Sequence, residues 1–101
     1  MEPSQSREEF DTALRRIRHE IKGRLVSHGL FGTISYTDIG PIDHAPTGSK
    51  IEIVVKGKTA AMTFDRRDIE ACRLRVAGPV LAGIVSMIDE LAVEYSGRQN
   101  S

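Results

Sequence analysis

Apolar side chains recur at Phe10, Leu14, Ile17, Ile21 and Leu25, a three-and-four spacing that gathers them on one face of an α-helix. The spacing predicts a helix over residues 7–28. Ser6, with Glu9 three residues on, fits a capping box in which each side chain satisfies a backbone N–H of the first turn, and Gly29 is placed to end the helix. The period then changes. Residues 31–39, FGTISYTDI, are rich in β-branched and aromatic types and predict a strand, and KIEIVVK (50–56) and TAAMTF (59–64) predict two more. With Gly57 and Lys58 as a two-residue type II′ turn, Val55 faces Ala60, Ile53 faces Met62 and Ile51 faces Phe64, so one side of the hairpin is wholly apolar. The other side pairs Lys56 with Thr59, Glu52 with Thr63 and Lys50 with Asp65, leaving Val54 and Ala61 as its apolar pair. A one-residue slip would mix the two faces.

Beyond the hairpin, Asp65 is placed to cap a helix over 66–76, with Asp68 favourable to its dipole. Gly78-Pro79 interrupts, because the residue before a proline is pushed out of the helical region while proline suits a first helical position. A last helix is expected over 79–95. The order α-β-β-β-α-α gives a three-stranded antiparallel sheet whose apolar face must be covered by helices, an α+β fold with the helices packed on one face. The chain is 101 residues long, enough for one modest core but not two. The expected division is a flexible tail over 1–6, a single domain over 7–96 and a second tail over 97–101.

Composition narrows the function classes. Fourteen basic residues balance fourteen acidic ones, so no global field favours polyanions and any nucleic-acid role must rest on a local patch. One cysteine, Cys72, excludes an internal disulfide and a cysteine-based zinc cluster. MEPSQSREEF at the N-terminus has neither the basic start nor the apolar run of a signal peptide, so a cytoplasmic protein is expected. The most apolar stretch, RVAGPVLAGIVSMIDELA (75–92), has 13 uncharged residues between Arg75 and Asp89, short of the roughly 20 needed to span a bilayer.

Few residues suggest chemistry. KGKT (56–59) resembles the end of a phosphate-binding loop, but Glu52 occupies the required glycine position and a strand follows where a helix should begin. His19 and His28 are nine residues apart, so on a straight helix they point to opposite sides and cannot share a metal. His19 is expected in solvent and His28 at the boundary of the apolar stripe. The connection over 38–49 is long and carries Asp38, Asp43 and His44, types able to bind a metal or move a proton, although a Pro- and Gly-rich loop needs polar residues in any case. Cys72 falls on the inner face of its helix, where a buried, inert thiol is expected. Arg15, Arg18 and Lys22 share a flank of the first helix, and Arg66, Arg67, Arg73 and Arg75 decorate the short one. Acids at four-residue spacing, Asp11 before Arg15 and Glu20 before Arg24, favour a solvated, ion-paired surface over a phosphate-binding one.

The run FDTALRRIRHEIKGRL, then HGLFGTISY, then IEIVVKGKTAAMTF resembles a group of small bacterial proteins with no assigned activity. It covers the chain through Phe64, and its motifs are structural ones. The resemblance implies a bacterial source and carries over no functional residue. The α-β-β-β-α order with GPIDH at 40–44 is also similar to a double-stranded RNA-binding domain, in which a loop of this kind probes a minor groove. That likeness implies nucleic-acid contacts at His44, Arg66, Arg67 and Arg73. It is partial, because DRRDIEACR dilutes its arginines with acids where that family has a lysine cluster.

The final helix carries the leading expectation. Val80, Leu81, Ile84, Val85, Met87, Ile88, Leu91 and Tyr95 cover an arc of roughly 160°, wider than one packing contact requires. The surplus needs the first helix or a second subunit. The sequence therefore leads us to expect a non-catalytic interaction module, with no cofactor or metal, that forms a homodimer or binds another protein through Leu81, Ile84, Val85 and Ile88.

Overall fold

A computed structural model provides the coordinates and describes residues 3–41 and 46–100, with side chains within 8–41 and 46–92. In chain order the elements are α1 (Pro3–Ser27), β1 (Thr33–Ile39), β2 (Gly48–Val55), β3 (Lys58–Asp65), α2 (Arg66–Glu70) and α3 (Gly78–Asn100). The three strands form an antiparallel meander with β2 in the centre, and the helices pack on the sheet as the α-β-β-β-α-α order requires.

Each end of α1 has a local cause. Proline lacks an N–H and fits the first turn, and α1 opens at Pro3. Ser6 therefore lies inside the helix, three residues past its start. Glu9, its expected capping partner, instead accepts from Arg73 at 2.8 Å. At the other end Gly29 takes φ +72°. The Leu30 N–H bonds to the Leu25 carbonyl at 2.8 Å and the Gly29 N–H to that of Val26 at 2.9 Å, the paired bonds of a Schellman motif. Leu25 and Leu30 are both buried, so the motif turns the chain toward β1 while closing the edge of the core.

The β2–β3 hairpin keeps the expected faces with a different turn. Both Lys56 (φ +49°) and Gly57 (φ +83°) are left-handed, the signature of a type I′ turn, and Val55 pairs with Lys58, Ile53 with Ala60, Ile51 with Met62 and Ser49 with Phe64. The expected partners are thus offset by two residues, which preserves the alternation of sides. K-G-K offers glycine to either turn type. The difference lies at the far end, where Phe64 stands opposite the small Ser49 and its ring lies against Gly83 of α3. Ser49 is fully buried and donates to the Thr37 carbonyl at 3.2 Å, which removes the penalty of an unpaired hydroxyl.

One core joins these parts. Phe10, Ile17 and Ile21 of α1, Ile51 and Ile53 of β2, and Val80, Ile84, Met87 and Ile88 of α3 are all buried in it. The opposite side of the sheet, with Ser35, Thr37, Lys50 and Thr63 exposed, faces solvent. The short helix ends sooner than its predicted bound. α2 stops at Glu70, and the Cys72 and Arg73 N–H groups close onto Ile69 and Glu70 in tighter three-residue turns. Those turns put Cys72 at 0 % exposure, between the Asp68 and Ala77 carbonyls, and turn Leu74 outward.

Two glycine substitutions test the seating of α3. Gly23 is in α1 with open space where an alanine methyl would sit, so Gly23→Ala is expected to gain about 0.5–1 kcal/mol of helix propensity. A Cβ on Gly83 would come within 2.6 Å of the Phe64 ring, so Gly83→Ala should lose about 1–3 kcal/mol to overpacking. Thermal melts should move in opposite directions, and equal stabilisation by both would contradict the close approach. The turn has its own test. Lys56→Asn should stabilise a type I′ turn by about 1 kcal/mol, whereas in the type II′ register position 56 is a strand residue and asparagine would lower the melting temperature.

Candidate functional site

The apolar arc of α3 divides once it is packed. Ile84 and Ile88 are 0 % and 1 % exposed, so these two of the four expected interface residues are taken up by the chain's own core. Leu81 and Val85 are half-buried, as is Ala92 farther along. On the opposite flank Gly83 meets Phe64 and Met62 of β3. The half-buried residues therefore lie on the flank away from the sheet contact. Leu81, Val85, Ile88 and Ala92 follow a four-three-four spacing, which runs straight along a helix as the seam of a paired helix does. The side chain of Tyr95 lies outside the described residues.

The arginines expected to contact nucleic acid are differently placed. Arg66 holds Glu70 at 2.8 Å and Arg73 holds Glu9 at 2.8 Å, with Arg67 exposed beside them. All three line one cleft with those two carboxylates, so its charge is largely compensated within the protein. His44 and Asp43 lie outside the described residues. The β1–β2 connection is shorter than expected, since the strands take residues up to Ile39 and from Gly48, and the Thr47 N–H closes it onto the Ile39 carbonyl at 2.8 Å.

A second cleft lies between α1 and β1, lined by Asp11, Arg15, Arg18, Tyr36 and Asp38. Tyr36 donates its hydroxyl to the Leu14 carbonyl at 3.1 Å. Burial pushes its ionisation far above the usual value near 10, against a small opposing pull from Arg18. A phenol held protonated in this way is an anchor between helix and strand, not a base. Tyr36 did not stand out in the sequence, although its alternation with Ile34 on a strand marks it as inward-facing.

A third cleft separates α1 from the 71–77 connection. Arg15, Arg16 and His19 form one wall, and Leu74, Arg75 and Val76 the other. Leu74 is 84 % exposed, between Arg73 and Arg75. Among the remaining candidates, His19 is exposed as expected, and His28 is exposed rather than at the boundary, since the chain leaves the helix there. Among the described residues no group of three or more His, Cys, Asp or Glu is arranged to hold a metal ion, and no helix is long and apolar enough to cross a membrane.

No family model, curated protein or solved structure matches the chain.

The Tyr36 anchor predicts a sensitivity to alkali. Because the folded state holds this proton more tightly than the unfolded chain, its stabilisation is complete below about pH 10 and is lost as pH rises above that. Tyr36→Phe should lower stability at pH 8 by about 1 kcal/mol through the lost hydrogen bond and should show a shallower decline between about pH 10 and 12. Parallel declines in melting temperature for the two proteins would contradict the buried phenol.

Proposed function

We propose that this chain is a small, non-catalytic interaction module that pairs with a second copy of itself along the outer flank of α3, acting in a bacterial cytoplasm as its sequence led us to expect. The observation that supports it most is the half-buried line of Leu81, Val85 and Ala92, with Ile88 at its base. Such a line is too apolar to be a solvent face, and Leu81 and Val85 keep part of their surface outside the monomer's core. A second copy fits it because the line itself is uncharged, so two identical flanks meet without like-charge repulsion. A two-fold axis then lets each supply the other's cover. Of the four residues expected at the interface, Leu81 and Val85 carry this version, and Ile84 and Ile88 support them from below.

Sedimentation equilibrium across the micromolar range tests the pairing. The native chain should be dimeric, and Leu81→Glu and Val85→Glu should each raise the dissociation constant by about 10-fold or more while retaining the native circular dichroism spectrum. Arg67→Gln should leave the dimer intact. A native chain that stays monomeric at every concentration overturns the proposal.

A further inference from the structure

The cleft between α1 and the 71–77 connection brings like-charged groups together from two separate elements. Arg15 and Arg16 approach from α1, with His19 one turn on, and Arg75 approaches from the opposite wall. Repulsion among them is normally relieved by nearby carboxylates, yet three of the acids near this cleft are already held by other arginines. Glu20 is held by Arg24 at 2.6 Å, Glu9 by Arg73 at 2.8 Å and Glu70 by Arg66 at 2.8 Å. Asp11 lies beyond Arg15, in the neighbouring cleft with Tyr36. Among the described residues no ion pair or side-chain hydrogen bond holds the guanidinium of Arg16 or of Arg75. Arg15 is oriented by a local relay. The Thr12 hydroxyl donates to the Glu8 carbonyl at 2.9 Å and accepts from the Arg15 guanidinium at 3.2 Å.

From this arrangement we infer that the cleft binds a small ligand carrying a diphosphate group, with an apolar portion resting on Leu74. Guanidinium groups present planar forks that match phosphate oxygens two at a time. Arg16 and Arg75, with Arg15 shared with the neighbouring cleft of Asp11 and Asp38, face the single carboxylate of Glu20, itself held by Arg24, which leaves room for a ligand of two negative charges. The cleft, about 390 Å³, is of a size to admit a compact phosphorylated molecule. An extended nucleic acid fits less well, because a polyanion needs a continuous basic track, and beside this cleft the surface passes to the Glu9 and Glu70 ion pairs. Leu74 gives the site its second character. It stands in solvent on the same wall as Arg75, where an apolar group attached to the diphosphate would cover it.

Isothermal titration of the full chain with inorganic pyrophosphate at low ionic strength tests the charged half of the site. Saturable one-to-one binding is expected. The double variant Arg16→Gln, Arg75→Gln should weaken it by about 10-fold or more, and each single variant by about 3-fold; the singles decide the outcome if the double variant melts early. Arg67→Gln, in the compensated cleft, should leave the affinity unchanged. Non-saturable heats, or equal losses in Arg67→Gln, overturn the site. Binding to phosphatidylglycerol vesicles without binding to pyrophosphate overturns the assignment to a small diphosphate ligand.

Discussion

Ile51 and Ile53 on the central strand cannot be shielded by their own sheet, since three strands present an open face on each side and the described residues form no second sheet to meet either one. Covering that inner face is the constraint to which every helix answers. α3 comes down on it beside β3, and comes close because Gly83 presents only hydrogen where the Phe64 ring lies. α1 completes the cover with Phe10, Ile17 and Ile21, and Tyr36 bonds β1 to the helix backbone. Even the tight turn of Gly29 serves it, because that turn sends the chain from the end of α1 into the edge strand without exposing Leu25 or Leu30.

The same constraint explains why the fold was legible in the sequence. Burial on one side imposes period two on the strands and three-and-four spacing on the helices, and both are visible without coordinates. The two faces of the hairpin could be read from alternation, but its partners could not. A shift of two residues leaves every side chain on its own side, so local pattern is blind to it, and long-range packing at Phe64 decides. The end of α2 was hidden for a similar reason. Cys72 and Val76 suit a continued helix by spacing, yet the chain tightens after Glu70 and still buries Cys72.

Surface chemistry was less legible than the core because it depends on which charges find each other across elements. Arg73 and Glu9 are far apart in sequence and meet only through the packing of α2 on α1. That meeting removes Arg73 from any count of available cations. Arg16 and Arg75 have the opposite history, unremarkable one by one and brought to facing walls by the fold. The α3 flank and the basic cleft thus arise from a common cause. Short connections let a small chain close its core with few residues, and whatever the core does not consume is left arranged on the outside.

Cys72 makes the closure of this core readable by chemistry. At 0 % exposure, held between two carbonyls in the turn that leads to α3, the thiol has no path to a reagent while the chain is intact. Oxidants and alkylating agents in the surroundings therefore leave the folded molecule unmarked, and each modified molecule records an occasion on which α2 and its following turn came away from the rest. Nature has placed a single counter of opening events at the joint between the basic cleft and the last helix.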